Sequence, residues 1–395
     1  MLEAKLSRFA ALPGLEITGS EVRGNRIRFH CVKKRAGHEA CPRCATASAS
    51  GYDRRTVRLR DEPLRNGGRV ELLVTKLRWY CRACRRPFTE PVPGVLPKQR
   101  YTQRFKRALL WAAETFTSLK AVRDTYSCSN GMIYRSVYEQ LELRMRMYES
   151  PWPKAVGIDE HFFSRARGEA KFFTVFTDLR KGRVREAVAG KRGEEVKPKI
   201  AHIEGREGVE WVALDMCDAY RKLARETFPN ARLVADKFHV LRLVSPALRR
   251  RRIEVTGDRR SLRIRRLLLR NRPKLAYDDR QEVDRWLANY PELNEVYRLK
   301  EGIHEFYRIK GYGRAQAAFE RLLQAMRGSG LEEVARLRRT FVAWRNEILN
   351  YFRSGLTNAT TEGFNRIASL VKNRGFGYKN PRNYRLRFLS ACRRS

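Results

Sequence analysis

The sequence has no run of about 18 apolar residues, the length that a membrane-spanning helix requires. It also lacks the apolar segment of a signal peptide, because Lys5, Arg8 and Pro13 interrupt its first residues. Acidic residues are scarce: 43 Asp and Glu stand against 84 Lys and Arg in a chain of 395 residues. These absences predict an intracellular protein without a membrane partner.

The formal net charge of +41 is the most informative property of the composition. A surplus of this size is self-repelling unless a polyanion neutralises it, so nucleic acid is the first candidate partner. The alternative is a basic surface that serves only solubility or reflects an arginine-rich proteome. Hydrophobic residues make up 42% of the chain, which excludes general disorder, and the length predicts two or three domains.

Four of the eight cysteines form two CxxC pairs, Cys41/Cys44 and Cys81/Cys84. Each CxxC turn directs two thiolates at one ion, and two turns complete the tetrahedral four-sulfur shell that Zn²⁺ prefers. The intervening segment predicts two strands joined by a turn at residues 66–68, which would bring the second pair beside the first. We expect a zinc-ribbon-like β module over residues 1–98 with a structural zinc ion.

Two other readings of the CxxC pairs are a disulfide pair and a redox-active motif. Both suit an intracellular, DNA-binding protein less well than a zinc site does. Cys31 and His38 are possible substitute ligands, although the simplest assignment needs neither of them.

Residues 99–150 change to helical periodicity. A short helix at LKAVRDTY, a turn at SCSN and a longer helix at GMIYRSVYEQL have the proportions of a helix-turn-helix DNA-binding motif. We expect Ser127 or Ser129 to cap the second helix, and Tyr134 and Arg135 to face DNA. The alternative is a plain helical linker.

Residues 151–240, which follow a boundary at Pro151-Trp152-Pro153, predict the element order β-β-β-α-β-α-β-α. A hairpin followed by parallel crossovers gives a mixed sheet with helices on both faces, which is the order of RNase-H-like α/β folds. The first strand pairs with the fourth in that order. Asp159, which ends the first apolar run, and Asp215, which ends the strand at 210–215, are therefore expected side by side.

Two adjacent carboxylates repel each other unless a cation lies between them. Mg²⁺ prefers oxygen ligands and retains waters for a phosphate substrate, and two such ions about 4 Å apart can activate a nucleophile and stabilise the leaving oxygen. The third carboxylate that we expect is Glu362, on a helix whose Asn365 and Ser369 share its face. Residues 356–395 are predicted to rejoin the core and to contribute this helix.

Residues 241–355 predict a long all-helical insertion between the last core strand and the Glu362 helix. The first part is basic, because residues 240–272 contain 12 Arg and only Glu254 and Asp258 as acids. This density predicts a surface that follows DNA phosphates, although a charge run is more commonly a solvated face. The arginines expected to contact DNA are Arg249, Arg250, Arg251 and Arg252.

Together these residues resemble a known family, the bacterial insertion-sequence transposases of the ISL3 group, which have a DDE catalytic core. The resemblance covers nearly the whole chain. Its most specific segments are CPRC with CRAC, GIDEHFF, VALDMCDAYRKLARETFPNARLVADKFHV and TTEGFNRIASLVKNRGFGYKN. It implies a protein of the bacterial cytoplasm and nucleoid that binds double-stranded transposon ends and target DNA. Because two ends must be joined together, we expect a homodimer.

The resemblance also implies roles for individual residues. Asp159 in I-D-E, Asp215 in L-D-M and Glu362 in T-E-x-x-N map onto the catalytic triad that holds two Mg²⁺ ions, for which Mn²⁺ can substitute. Asp236, in the neighbouring D-K-F-H segment, is the alternative for the second position, but it follows an outer strand. His239 either contacts the scissile phosphate or packs in the core.

We expect Asn365, Lys372 and Arg374, which share the Glu362 segment, to contact DNA phosphates. The predicted function is metal-dependent cleavage and strand transfer at the terminal inverted repeats of a transposon. The alternative is a zinc-containing helix-turn-helix regulator that binds DNA without catalysis. That alternative leaves the three carboxylates and the long insertion without a purpose.

Overall fold

The computed structural model describes residues 14–34, 37–64, 68–116, 118–164, 171–260, 263–375 and 378–392. Contacts divide the chain into two compact units: the first comprises residues 1–147 and 374–376, and the second comprises the rest. The chain is a mixed α/β protein, and its described residues include two five-stranded sheets and many helices. Most of the predicted turn at residues 66–68 lies outside the described residues.

The described part of the first unit opens with a sheet. Its strands are β1 (Leu15–Arg23), β2 (Arg26–Lys33), β3 (Glu39–Ala40), β4 (Ala47–Ser48), β5 (Gly51–Asp61), β6 (Arg69–Cys81) and β7 (Arg86–Thr89). The order is β1-β2-β6-β5, with β7 on β6 and a separate β3–β4 pair. Only β2 and β6 run parallel. The antiparallel β5–β6 pair is the predicted hairpin, and it returns the second CxxC to the first.

Three helices follow: α1 (Gln103–Thr115), α2 (Leu119–Tyr126) and α3 (Asn130–Met147). Ser118 Oγ accepts a hydrogen bond from Ala121 N at 3.2 Å and so caps α2. Ser129 Oγ accepts from Met132 N at 3.2 Å at the start of α3. Ser129 is therefore the cap of α3, while Ser127 ends α2 in the left-handed conformation with φ of 44°.

The second unit is built on the strands β8 (Ala155–Phe162), β9 (Phe172–Asp178), β10 (Arg183–Ala189), β11 (Trp211–Leu214) and β12 (Arg232–Ala235). Their order is β10-β9-β8-β11-β12. The first three are antiparallel, whereas β11 runs parallel to both β8 and β12. Helix α4 (Gly193–Ile200) precedes β11, and α5 (Asp218–Thr227) joins β11 to β12. The predicted pairing of the first and fourth strands is confirmed.

After β12, the regular secondary structure of the described residues is helical. These helices are α6 (Lys237–Arg242), α7 (Val244–Thr256), α8 (Arg263–Leu269), α9 (Tyr277–Asn289), α10 (Pro291–Phe306), α11 (Tyr312–Arg327), α12 (Glu332–Ala343) and α13 (Arg345–Ser354). Their buried side chains, among them Phe306, Phe319 and Phe341, join the apolar core of the sheet. None of the described helices is long and apolar enough to cross a membrane.

Two further helices, α14 (Ala359–Arg374) and α15 (Pro381–Cys392), complete the second unit. The start of α14 approaches β8 at Gly157, where a Cβ atom would lie 2.6 Å from Asn358 Oδ1 and 2.7 Å from Thr361 Oγ1. Only glycine permits this approach. Asn358 Nδ2 donates to Ile158 O at 2.9 Å and fixes the helix against the strand.

Candidate active site

Asp159 and Asp215 lie on neighbouring strands at the same level of the sheet. The register pairs Ile158 with Leu214, so the next residue on each strand is an aspartate. The sequence predicted Asp159 at the end of its strand. It lies instead inside β8, because β8 pairs with β9 as far as Phe162. Asp215 directly follows β11. The sheet thus brings two carboxyl groups of the predicted triad together.

The two carboxyl groups have unequal surroundings. Asp159 is 6% exposed, and burial raises the pKa of its carboxyl group to about 7, with the charge of Asp215 as the second cause. Asp215 Oδ1 is buried and lies 3.0 Å from His239 Nδ1. Two carboxyl groups this close repel each other when both are ionised, and a bound cation would relieve that repulsion.

His239 lies between two aspartates. Its Nδ1 is 3.0 Å from Asp215 Oδ1 and 3.0 Å from Asp236 Oδ2. These contacts, with Asp215 first, raise the pKa of His239 to about 10, so the ring is an imidazolium at neutral pH. The alternative in which His239 packs in the core beside Phe238 is wrong, because Phe238 is 43% exposed and His239 lines an open cleft.

Asp236 serves as the cap of α6. Its Oδ1 accepts from Asn358 N at 2.8 Å, and its Oδ2 accepts from His239 N at 3.4 Å. Burial would raise its pKa, but the hydrogen bonds from His239 and Asn358 lower it below the usual value. The ligand atoms of Asp215, Asp236 and His239 lie within 4.8 Å of one another, so Asp236 remains the alternative metal ligand. Both carboxylate oxygens of Asp236 already accept hydrogen bonds, which favours Asp215 over Asp236 as the metal ligand.

Glu362, in the first turn of α14, faces the same cleft as the two aspartates. The cleft has a volume of about 420 Å³ and is lined by Asp159, Glu160, His161, Asp215, His239, Glu362, Asn365, Arg366 and Ser369. Glu362 is the exposed member of the predicted triad. Arg366 lies one helical turn further along α14, at i+4 from Glu362, and therefore shares its face of the helix.

Asn365 makes a contact inside the cleft that the sequence did not predict. Its Nδ2 donates to Asp159 Oδ2 at 2.7 Å and to Glu160 O at 3.2 Å. The amide group is thus directed at the acidic strand, where it orients the Asp159 carboxyl group. By contrast, Arg374 is exposed, and the Lys372 Nζ atom donates to the backbone carbonyl of Phe162 at 3.2 Å and lies 5.1 Å from the centre of its ring.

The surroundings of Asp159 predict that Asp159→Asn stabilises the metal-free protein. The folded-state pKa of about 7 exceeds the ordinary value of 3.8, so the carboxyl group contributes stability that is lost as pH rises from about 4 to 7. An amide group cannot ionise. Asn365 can turn its Oδ1, which has no hydrogen-bond partner among the described residues, to accept a hydrogen bond from the amide of the variant. With EDTA, we expect a gain of about 2 kcal/mol in the unfolding free energy at pH 8 and none at pH 4.

Denaturant titrations at both pH values measure this difference. Asp218→Asn is the matched control, because Asp218 is exposed at the start of α5 and should show no such pH-dependent gain. Equal stability of Asp159→Asn and the unaltered protein at pH 8 would contradict the destabilisation that we assign to the ionised Asp159 carboxyl group.

The four thiols of the CxxC turns converge in the first unit. All four Sγ atoms lie within 4.8 Å of one another, and Cys44 Sγ is 3.6 Å from Cys81 Sγ. Tetrahedral Zn–S bonds of about 2.3 Å separate sulfurs by roughly 3.8 Å, so the set fits Zn²⁺. The residue after each pair, Ala45 or Arg85, has positive φ (59° and 52°), which gives the two turns the same shape. Cys31 lies apart in an apolar cluster.

The four arginines predicted to contact DNA from α7 divide into two pairs. Arg249 and Arg250 are exposed. Arg252 is 1% exposed and Arg251 forms ion pairs with Glu333 at 2.6 Å and with Glu292 at 2.7 Å. The prediction is wrong for Arg251, which joins α7 to α10 and α12, whereas Arg252 lies beneath the outer surface and lines a cavity.

Comparisons with known proteins bear on this site. A family model described as transposase, of the ISL3 type with a DDE core, matches residues 156–388, which include all the residues that line the acidic cleft. The transposase for insertion sequence element IS1001 of Bordetella parapertussis is 26% identical over 369 residues, covering 89% of this chain and 88% of that protein. The chain therefore belongs to the ISL3 family of DDE transposases.

Proposed function

We propose that the protein binds the terminal inverted repeats of its own transposon, and cuts and joins DNA strands at the cleft of Asp159, Asp215 and Glu362. The Asp159–Asp215 pair is the main support, because it places two carboxyl groups side by side in a transposase of net charge +41. The test is incubation of the protein with DNA from both sides of its gene. We expect Mg²⁺-dependent cleavage at the repeats, whereas a regulator would bind them without cutting.

The cleft residues fit a divalent cation, because the carboxyl groups of Asp159, Asp215 and Glu362 line one cleft and offer oxygen ligands. Asp159, Asp215 and Glu362 would hold two Mg²⁺ ions, or Mn²⁺, which accepts the same oxygen ligands. Bound metal would supply charge neutralisation at the scissile phosphate and a more acidic nucleophile. Around it, Asn365 orients the Asp159 carboxyl group.

Positive groups of the chain complete the cleft. The His239 imidazolium and the Arg366 guanidinium line it together with the carboxylates. Both attract a DNA phosphate to a site whose acidic residues would otherwise repel it. His239, with a raised pKa, also holds a proton inside this cleft.

We assign recognition of the transposon ends to a structural zinc module over residues 1–98 and to a helix-turn-helix over residues 99–150. In this assignment α3 enters the major groove, and Tyr134 and Arg135, which are exposed near its start, face the DNA. Residues 151–240 and 356–395 form an RNase-H-like core, and residues 241–355 form its insertion. A homodimer would hold the two ends together.

This division predicts that specificity and affinity separate when the two compact units are produced individually. A fragment of residues 1–147 should prefer the terminal repeats over random DNA, with a shallow salt dependence, because α3 reads base edges. A fragment of residues 148–395 should bind both DNAs alike and steeply, since each phosphate neutralised contributes about −0.9 to the slope of log K against log salt.

Salt titrations of each fragment on both DNAs measure this. The full chain, titrated in parallel, is the control for the combined slope. A preference for the repeats in fragment 148–395 would show that the second unit, and not the first, recognises the transposon ends.

A further inference from the structure

A second cavity, of about 740 Å³, lies in the helical insertion where α6, α7 and α8 meet. Six arginines and one glutamate provide its charged lining, namely Arg242, Arg249, Arg250, Arg252, Arg259, Arg265 and Glu254. The apolar part of its wall includes Leu248, Ile253 and Leu268. A cavity of this size holds a ligand as large as a nucleotide.

Arg252 is the buried charge of this cavity. It is 1% exposed, and its Nη2 donates to Arg260 O at 3.1 Å. Its Nε and Nη1 are buried, and neither has a hydrogen-bond partner in the part of the chain that the structure describes. A buried cation with unsatisfied donors is costly unless an anion pairs with it. The neighbouring Arg251, in contrast, is fully engaged by glutamates.

Arginines outnumber acidic residues six to one in the lining. Glu254 is the single acid among the lining residues, and its carboxylate is shared with Arg251 Nη2 at 3.3 Å. Arg249 and Arg259 are exposed, so their guanidinium groups are accessible to a ligand. Guanidinium groups match the oxygens of a phosphate with paired hydrogen bonds. The combination of arginines with an apolar wall suits a phosphate that bears a nucleoside.

We propose that the cavity between α6, α7 and α8 binds the phosphate of a nucleotide, with its nucleoside against the apolar wall. Helix α6 links the two sites, because His239 lines the acidic cleft and Arg242 lines the cavity. Its six residues span about 9 Å. A DNA strand that occupies the cleft therefore reaches the cavity within a few nucleotides. A DNA strand as the source of the nucleotide rests on the proposed function. A free nucleotide offers the same phosphate and nucleoside to the cavity.

The test compares full-length variants in EDTA with two probes, a duplex that contains the terminal repeat and ATP. Arg249→Gln with Arg259→Gln, and separately Arg252→Met, should each weaken duplex binding about tenfold, which is about 1.4 kcal/mol. The matched control is Arg266→Gln with Arg270→Gln, which removes the same charge from exposed positions outside the cavity. We expect at most a threefold loss there. Arg252→Met should keep or raise the melting temperature, because it removes an unpaired buried charge.

The ATP arm separates the two sources of phosphate. Stabilisation of the unaltered protein by ATP that both cavity variants lose, without a change in duplex binding, assigns the cavity to a free nucleotide. Equal behaviour of the cavity variants and the control on both probes overturns the proposal. Cleavage is assayed in parallel: a protein that never cuts the repeats counts against the proposed function, while the binding comparison still decides the cavity.

Discussion

Alanine in place of Asp159, Asp215 or Glu362 should reduce cleavage at the transposon ends about a thousandfold or more, while binding of the ends persists. Each substitution removes one carboxylate from the cleft, and the metal's stabilisation of the transition state is worth several kcal/mol. None removes a positive charge, so the attraction of DNA phosphates stays. Cleavage of a labelled repeat duplex and a binding titration on the same duplex measure the two effects.

Two further variants sharpen this experiment. Asp218→Asn changes an exposed acid three residues beyond Asp215 and should cleave normally. Asp236→Asn tests the alternative ligand, since it retains an oxygen for the α6 cap. If Asp215→Ala cleaves normally and Asp236→Asn does not, the second position of the triad belongs to Asp236.

Serine in place of Cys41 or Cys81 should release about one zinc ion per chain and unfold the first unit. A structural Zn²⁺ site supplies apparent binding energy on the order of 10 kcal/mol, which is folding energy for a small module. Recognition of the terminal repeats should be lost, while the second unit keeps its cooperative unfolding transition. Elemental analysis, together with calorimetry of the full chain, follows both consequences.

Cys31→Ala provides the matched control for the zinc experiment. Cys31 is a buried thiol of the same unit, but it lies in a separate apolar cluster. Its substitution should retain zinc and lower stability only modestly. A protein that is purified without chelators, contains no zinc and yet has a folded first unit would contradict a structural role for the metal.

Local sequence patterns located the strands of the second unit closely. The strand expected at residues 210–215 is observed at Trp211–Leu214. Short apolar runs bounded by turns and polar residues define a strand without reference to the rest of the chain. The predicted element order then required that β8 pair with β11, so the proximity of Asp159 and Asp215 followed from the sequence.

The direction in which a side chain points was less accessible. Arg249, Arg250, Arg251 and Arg252 are identical in the sequence and consecutive on one helix. Successive residues of a helix point about 100° apart, so the packing of α7 decides which of them is exposed. Glu333, about 80 residues away, engages Arg251, and nothing in the local pattern announces that contact. The contact of Asn365 with Asp159 was not predicted for the same reason.

By itself, the sequence determined the chemistry that the protein can offer: its excess of positive charge, four thiolates in two turns, and carboxylates placed at predicted strands and at a helix start. These follow from residue type and short spacing. The tertiary structure alone decided which groups meet. Asn365 reaches Asp159 across 206 residues, and α14 approaches β8 only because Gly157 has no side chain. Such contacts depend on packing between distant segments, which no local pattern encodes.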